Sequence, residues 1–360
     1  MEYKILNINN HKEYEEWTDI ISNFNVNKTD FYYLPNYMDL NVNNHKNEVG
    51  LMFYVRENNH IWVHCFIKTK ILNYEKIFED KFYYDLETPH GYGGPISNTE
   101  NEFFLKKAQN FFFEWANRNN ILCELVRFHP LLNNQIYYNS IDKIILNREI
   151  RFTKLNLITE ELTCFNPKVR NKIRKAYKDN LLIEISKSKK DYNDFKVLYF
   201  QHLNNINAEN FYYFNEIYFK KLFDLINKFG FIVTVKNKSK ELLGASVFLG
   251  FKKNLHSHLT AISKTNKFSG INNVLLYNAY LYGKNNNFIN CNLGGGISCN
   301  QDDSLLEFKR SMSNSKSNFY IGYKIYNEKI YSNLVNSYKK RYPAKFKINS
   351  KHILCYRSND

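Results

Sequence analysis

Apolar residues repeat along this chain with two different periods, and the order in which the periods alternate constrains the fold more than any other feature. Apolar runs at 51–56 and 61–69, separated by a short polar turn, predict a β-hairpin. Phenylalanine and tryptophan at helical spacing over 100–117 predict an amphipathic helix, and 121–128 predicts a buried strand. The order strand, strand, helix, strand is typical of a mixed α/β fold.

The same kind of order begins again near residue 150. A strand-like segment at 151–157 is followed by a basic helix after Pro167, and further helices and strands follow it. A chain of 360 residues also fits two domains of ordinary size better than one. We therefore predict one domain at 1–150, a second at 151–330, and a tail at 331–360 that packs back on the first domain.

The composition indicates an ordered protein with sizeable cores, since 44% of residues are hydrophobic and 17% are aromatic. The six cysteines are scattered without a CxxC motif, which favours reduced thiols over a disulfide framework or a metal site. No apolar run is long enough for a membrane-spanning helix, and the N-terminus lacks a secretory pattern. We expect a cytoplasmic protein without a transmembrane segment, and contact with the inner face of the membrane stays open.

The formal net charge of +15 is compatible with a polyanionic partner such as RNA. However, 40 of the 50 basic residues are lysine, whereas recognition of phosphate by planar, two-pronged groups favours arginine. Lysine, asparagine, tyrosine, phenylalanine and isoleucine, all abundant here, share AT-rich codons. The global charge is therefore either functional or a product of genome composition.

Six of the 13 glycines stand in two short segments, Gly91 to Gly94 and Gly294 to Gly296. Glycine adds no side chain to a core, so this clustering predicts turns with unusual backbone angles or loops that approach a ligand. The second cluster follows a predicted strand and precedes a predicted helix at 304–310. Such a turn is suited to presenting backbone N–H groups to an anion or a polarised carbonyl.

Five segments together are similar to one known family: 92–95, 127–130, 166–176, 293–296, and 308–309 with 319–322. In this order they resemble the Fem-type (FemABX-like) peptidyl- or aminoacyltransferases and related N-acyltransferases of tandem GNAT fold. The resemblance implies an α/β fold of two tandem GNAT-like domains, each a mixed twisted sheet flanked by helices. It also implies transfer of an acyl or aminoacyl group to an amine, with the donor site in the second domain.

Acyl transfer to an amine needs alignment of the two reactants and stabilisation of an oxyanion, but no covalent enzyme intermediate. On the resemblance, Lys309 is the first catalytic or donor-binding candidate, and an ordinary solvated lysine is the alternative. His258 is a candidate proton relay, because alternation places it with His256 and Thr260 on one face of a predicted strand. A structural histidine is the alternative for His258.

Asp302 is the third catalytic candidate, since a carboxylate there would orient or deprotonate the amine. It follows the triple glycine by a few residues and precedes the helix predicted to begin near Ser304. With Asp303 it is equally suited to capping that helix.

The predicted substrate-binding residues are Tyr92, Gly93, Gly94, Arg127, His129, Arg170, Arg174, Tyr212, Gly294, Gly295 and Gly296. Arg127 and His129 end a predicted strand, a common ligand position in α/β proteins. Arg170 and Arg174 lie four residues apart on the basic helix, so they are suited to a diphosphate or an RNA backbone, or form an exposed charged face. Tyr212 is suited to stacking on a sugar or a base, with a core position as the alternative.

The sequence therefore predicts an N-acyltransferase that acts by direct transfer on an amino sugar, a sugar nucleotide or another cell-envelope glycan precursor. The expected partners are an acyl-CoA or charged tRNA donor and a small-molecule or lipid-linked acceptor, with no tightly bound cofactor. The acetyl-CoA fingerprint occurs only in degenerate form at 267–272, which leaves the donor open. The alternatives are an aminoacyl-tRNA-dependent transferase that builds peptidoglycan bridges, and a non-enzymatic module that binds nucleic acid or glycan.

Overall fold

The computed structural model describes residues 1–42, 47–74, 77–78, 81–264, 268, 270–297 and 303–357. The chain folds as two compact units. Unit 1 consists of Met1–Asn147 and Phe319–Asp360, and unit 2 consists of Arg148–Asn318. The chain thus begins and ends in unit 1.

Unit 1 begins with β1 (Glu2–Asn7), α1 (His11–Asn23), α2 (Pro35–Asn41), β2 (Glu48–Glu57), β3 (His60–Lys70), β4 (Tyr84–Glu87), β5 (Ile96–Ser97), α3 (Glu102–Arg118) and β6 (Ile121–Arg127). The strand β7 (Lys143–Lys154) carries the chain into unit 2. Unit 2 continues with α4 (Pro167–Lys178), β8 (Leu182–Ser186), α5 (Lys189–Asn205), α6 (Glu216–Phe229), β9 (Gly230–Lys236), β10 (Leu242–Phe251), β11 (Asn254–Ile262), α7 (Ile271–Asn285), β12 (Asn290–Gly294) and α8 (Ser304–Met312). The strand β13 (Ser315–Ile325) returns to unit 1, where α9 (Glu328–Arg341) and α10 (Pro343–Asn349) follow.

The sheet of unit 1 is mixed. The pairs β1–β2, β2–β3 and β3–β4 are antiparallel, and β4 and β6 are parallel. The returning strand β13 pairs antiparallel with β6 from Ile321 to Ile325. Helix α3 covers one face with an aromatic cluster that includes Phe53, Trp62 and Phe112. Burial of these large side chains is the main favourable term for this unit.

The sheet of unit 2 is also mixed, in the order β8-β9-β10-β11-β12-β7. Its pairs are antiparallel except for β11 and β12, which run parallel and are connected through α7. Alternate residues of β9, namely Phe231, Val233 and Val235, pack with α4 and α7 in one buried cluster. Helices α5 and α6 pack against the same strands, with residues that lie outside that cluster. The sheet therefore lies between two helical layers.

The elements predicted from the sequence are present in the predicted order, including the basic helix, which begins at Pro167. The predicted elements do not include β1, α1, α2, β4, β5, α9 and α10. Helix α4 buries Val169, Ile173 and Ala176 and leaves its charged face outside. Among the described residues, no helix combines the length and the apolar character that crossing a bilayer requires.

Candidate active site

The parallel strands β11 and β12 separate partway along their length. Their register covers only three residue pairs, from Asn254 with Asn290 to His256 with Asn292. Beyond His256, β11 continues to Ile262, whereas β12 ends at Gly294. The region past the last pair lies at the carboxyl ends of parallel strands, the usual ligand-binding edge of an open α/β sheet.

A β-bulge at His258 controls which side chains of β11 face this opening. Val247 of β10 pairs with Leu259, but the next residue, Phe248, pairs with Ser257, so His258 has no partner in the register. One extra residue reverses the alternation of side chains between the faces of a strand. Ser257 and Thr260, which would otherwise point to opposite faces, consequently lie on the same face.

A cavity of about 110 Å³ lies at this opening, within unit 2. Its apolar lining comes from Leu275, Leu276, Leu293, Leu305 and Phe308. Its polar lining comes from Ser246, Ser257, Thr260, Asn272 and Lys309. Apolar lining with a few polar groups that fix orientation is common to small-molecule sites, and this cavity has the size for a small chemical group rather than a whole ligand.

Lys309, the first catalytic candidate, lines the cavity and is largely buried. Its Nζ donates a hydrogen bond of 2.6 Å to the carbonyl oxygen of Gly295. Burial, with a contribution from nearby Arg148, lowers the pKa of this ammonium to about 8, against the opposing effect of Asp303. An ammonium has three donors, so two N–H groups have no partner among the described residues and are suited to a ligand. Lys309 is therefore not the ordinary solvated lysine of the alternative hypothesis.

The triple-glycine turn presents carbonyl oxygens rather than N–H groups to its neighbours. The oxygen of Gly295 accepts from Lys309, and that of Gly296 accepts from Nη1 of Arg148 at 2.9 Å. The N–H of Gly294, at φ +73°, donates to the side chain of Asn292 at 2.9 Å. Side-chain cations thus occupy the carbonyl side of the turn, and presentation of its N–H groups to a ligand stays a prediction. The turn positions two cations, and a pair of cations is suited to an anionic ligand.

His258 lies away from the cavity. Its Nε2 is 2.9 Å from the hydroxyl of Tyr218 on α6. The prediction that His256, His258 and Thr260 share one face is wrong, because the bulge at His258 reverses the alternation. A role for His258 as a proton relay stays a prediction, and its contacts favour positioning of α6.

The two aspartates ahead of α8 have different outcomes. Asp303 caps the helix, with its Oδ1 accepting from the N–H of Leu306 at 2.9 Å. Asp302 lies outside the described residues, and its catalytic role stays a prediction.

In unit 1, the predicted binding residue Arg127 is engaged by neighbouring acceptors. It donates to Glu87 Oε2 at 3.0 Å and to the carbonyl oxygen of Thr88 at 2.9 Å. Arg357, near the C-terminus, also bonds Glu87. Burial raises the pKa of the Glu87 carboxyl, but these two arginines outweigh it and the net pKa is lowered. Arg127 is about one quarter exposed, so a ligand is able to reach it.

The loop of unit 1 that contains Gly91, Gly93 and Gly94 is tightly packed. A side chain at Gly91, which has φ +92°, would collide with the ring of Tyr32, and one at Gly94, with φ +80°, would collide with Phe128. The carbonyl oxygen of Gly93 accepts from the hydroxyl of Tyr33 and the amide of Asn134. Gly91 and Gly94 therefore have a structural reason in unit 1, and ligand binding at Gly93 and Gly94 stays a prediction.

His129 is completely buried beside Asp30. Its Nε2 lies 3.0 Å from Asp30 Oδ2, and its Nδ1 accepts from the N–H of Leu131 at 3.2 Å. The rings of Tyr32 and Tyr92 pack edge-on against it, each with a centroid separation of 5.5 Å. This environment fixes the ring and makes His129 a positioning residue for the loop that carries Tyr92.

The remaining predicted binding residues lie at the surface of unit 2, where Arg174 and Tyr212 are exposed and Arg170 is half-buried. Arg170 and Arg174 are on the outer face of α4. None of the six cations on that face forms an ion pair with a described residue. These cations are Lys168, Arg170, Lys172, Arg174, Lys175 and Lys178. Tyr212 is 43% exposed in a short 3-10 helix, rather than in a core.

Several residues of the site were not among the predicted site residues: Ser246, Ser257, Asn272 and Leu293 of the cavity lining, and Arg148, which bonds the carbonyl oxygen of Gly296. They come from four strands and one helix, and no local motif joins them. Two of them had a signal, since Leu293 stands in the Fem-type segment 293–296 and Asn272 ends the degenerate fingerprint at 267–272.

No family model matches the chain, and no curated protein matches it. Solved structures match nearly its whole length. The crystal structure of FemX matches with a TM-score of 0.70 and 12% identity, covering 92% of this chain and 99% of that one. The structure of L-PGS from Bacillus licheniformis matches with a TM-score of 0.59 and 13% identity, covering 88% and 92%.

At these identities the likeness is one of fold. The predicted fold class, two tandem GNAT-like α/β units, each with a mixed sheet flanked by helices, is confirmed. The resemblance to the Fem-type proteins is confirmed at the same level.

Proposed function

Because the chain has the fold of the Fem-type proteins, we propose that it is a transferase that moves an acyl or aminoacyl group to an amine. The acyl group would occupy the cavity of unit 2, where β11 and β12 separate. The main support for this proposal is Lys309, a desolvated lysine with a pKa of about 8 on the wall of that cavity. Perturbed titratable groups in a concave site are typical of catalytic centres.

In the proposed reaction the amine nitrogen attacks the acyl carbon directly. A C–N bond forms, the C–S bond of a thioester or the C–O bond of an ester breaks, and the amine proton passes to the leaving sulfur or oxygen. Negative charge develops first on the carbonyl oxygen and then on the leaving atom. The ammonium of Lys309 supports both stages, since a fixed cation in a desolvated site stabilises developing anions more than water does.

The acceptor in this proposal is the amine of an amino sugar, of a sugar nucleotide or of another cell-envelope glycan precursor. It rests on the sequence resemblance at 92–95 and 127–130 of unit 1. A lipid-linked acceptor would bring the protein to the inner face of the membrane. Arg127, about one quarter exposed, is the group of unit 1 best suited to an acceptor phosphate.

A second candidate function has an aminoacyl-tRNA as the donor. It is supported by the outer face of α4, which presents six cations to solvent without an ion pair to the described residues. A helix of this kind follows an RNA backbone by charge and releases counterions on binding. Acyl-CoA is the alternative donor, and it carries fewer phosphates.

The test is a matrix of donors and acceptors with product mass as the readout. Donors are acyl-CoA thioesters and aminoacyl-tRNAs, and acceptors are sugar nucleotides with a free amine on the sugar or on an attached peptide. We expect a product whose mass increases by one acyl or aminoacyl residue with one donor class. With tRNA, the apparent affinity should fall steeply between low and moderate salt, whereas CoA should respond far less.

Binding of tRNA or of a glycan without any transfer would contradict the proposal and would support a non-enzymatic binding module. Thermal shift measurements on the same ligands distinguish the cases, because a bound ligand raises the melting temperature whether or not it reacts.

A further inference from the structure

Some polar groups in the lining of the unit 2 cavity have no hydrogen-bond partner among the described residues. Asn272, in the first turn of α7, lines the cavity. Its Oδ1 is buried and has no hydrogen-bond partner among the described residues. The hydroxyl of Ser257 also lines the cavity and has no partner in the described part of the chain. A buried carbonyl oxygen without a donor is costly, so such groups in a folded protein usually serve a ligand.

The neighbouring hydroxyls set the chemistry of this wall. Ser246 Oγ and Thr260 Oγ1 lie 2.6 Å apart, and Ser246 also contacts the carbonyl oxygen of Leu259 at 3.3 Å. Their mutual bond leaves little donor capacity for Asn272. Because Oδ1 is only an acceptor, the partner that it lacks is an N–H or O–H group.

The size of the cavity limits what could supply that donor. An apolar cavity of about 150 Å³ accommodates benzene, so about 110 Å³ corresponds to about four or five non-hydrogen atoms. Five of the ten lining residues are leucine or phenylalanine. A long alkyl chain does not fit without displacing buried side chains such as Leu275.

From these observations we infer that Asn272 is a specificity-determining residue, which together with Ser257 selects a short transferred group that bears an N–H or O–H donor. Amino- and hydroxy-substituted two- or three-carbon acyl groups fit this description. Plain alkanoyl groups of the same size fit the volume but leave Oδ1 unsatisfied. The inference rests on the proposed function for its statement that the ligand is the transferred group.

The test uses neutral methyl esters as probes of the cavity in the full chain. The acyl groups of methyl glycolate and methyl propionate each have four non-hydrogen atoms, which the cavity accommodates with the methoxy group at its opening, and they differ by a hydroxyl in place of a methyl group. Binding is followed by the methyl resonances of Leu275, Leu276 and Leu293 in a leucine-labelled sample. We expect saturable shifts, with methyl glycolate bound about two- to tenfold more tightly than methyl propionate, the range for one hydrogen bond. Methyl hexanoate should not shift these methyl groups.

The variants Asn272→Leu and Asn278→Leu form a matched pair on α7. Asn278 does not line the cavity, and its amide bonds the hydroxyl of Tyr177 and the carbonyl oxygen of Val274. Asn272→Leu should remove or reverse the preference for methyl glycolate, and Asn278→Leu should leave it unchanged. Equal binding of the two esters by the wild-type chain, binding of methyl hexanoate, or no shift with any ester would overturn the inference.

The ester titration tests the inference about the cavity and the transfer assay tests the proposed function, so either claim can be contradicted without the other. If the chain prefers methyl glycolate but transfers nothing, the inference about the cavity stands and the proposed function is contradicted. If the chain transfers long or plain alkanoyl groups as fast as hydroxyacyl groups, the proposed function stands and the inference about Asn272 is contradicted.

Discussion

At the scale of single residues, Lys309 illustrates how tertiary structure changes an ordinary side chain. In water a lysine ammonium titrates near pH 10.4. In unit 2, burial and the neighbouring Arg148 bring its pKa to about 8, against the opposing effect of Asp303. The ammonium is thus charged at neutral pH but loses its proton under mildly alkaline conditions.

The first prediction concerns turnover. If the reaction uses the Lys309 ammonium, kcat should fall as pH rises through about 8, because the protonated form exists below that pKa. Lys309→Met should lower kcat by about 10²–10³-fold, the range for loss of one oxyanion-stabilising group. Lys309→Arg should retain partial activity without the alkaline decline, since a guanidinium stays charged.

The control for this prediction is Lys220→Met, which removes an exposed cation of α6 and should leave the pH profile unchanged. A flat profile across pH 8, or near-normal turnover of Lys309→Met with the right substrates, would contradict the assignment.

The second prediction concerns stability. The folded-state pKa of Lys309 lies below its unfolded value, so the folded protein binds fewer protons between about pH 8 and pH 10. The cost of burying this charge is therefore fully present below pH 8 and fades as pH rises. At pH 7, Lys309→Met should unfold at the same or a higher denaturant concentration than the wild type, and the difference should shrink toward pH 10. A variant that is clearly less stable at pH 7 would argue against a desolvated ammonium.

At the scale of elements, α4 combines two faces with separate tasks. Val169, Ile173 and Ala176 anchor it in the buried cluster of unit 2, and Pro167 begins it directly after the capping residue Asn166. The cations on its other face make no ion pair with described residues, so they contribute little to folding.

The third prediction follows from that division. The double variant Arg170→Ala/Arg174→Ala should change the free energy of unfolding by no more than about 0.5 kcal/mol, as for most exposed substitutions. It should raise the KM for the phosphate-bearing substrate and reduce the salt dependence of its binding. A Lys220→Ala/Lys228→Ala variant on α6 provides the control for total charge. Unchanged KM values for both substrates would show that the face of α4 is only solvated.

At the scale of the whole molecule, the C-terminal segment is held to unit 1 by a buried ion network. Arg357 bonds Asp85 and Glu87 on β4, and Asp85 also accepts from the hydroxyl of Tyr356 at 2.8 Å. Burial raises the pKa of the Asp85 carboxyl, and Arg357 offsets part of that rise. Removing one partner of such a network leaves an uncompensated charge in the interior.

The fourth prediction is that Arg357→Ala destabilises the protein by about 3–5 kcal/mol, measured by urea unfolding. Adding Asp85→Asn should recover part of the loss, because the buried group is then neutral. If the double variant is no more stable than Arg357→Ala alone, the network does not account for the effect.

The fifth prediction tests the proposal that the two units are domains. Ile173→Ala creates a cavity in unit 2 and should cost about 2–5 kcal/mol there, whereas Arg357→Ala acts in unit 1. In calorimetry we expect two transitions, with each variant lowering a different one. One transition shifted by both variants would indicate a single cooperative unit.

The sequence by itself determined the class of fold and the order of its elements. Local patterns carry that information, since the apolar periods of α3 and α4 reflect which face each helix buries. The Fem-type segments added the overall architecture, and Lys309 was identified through them. These signals depend on residues that are close together in sequence, so they can be identified without the tertiary structure.

Only the tertiary structure decided the site. The bulge at His258 is a matter of register between β10 and β11, and no local pattern marks it. The cavity joins Ser246, Asn272 and Lys309, which are distant in sequence, and the turn at Gly295 holds its cations through carbonyl oxygens. The low pKa of Lys309 likewise arises from burial, a property that the surrounding chain confers and the residue itself lacks.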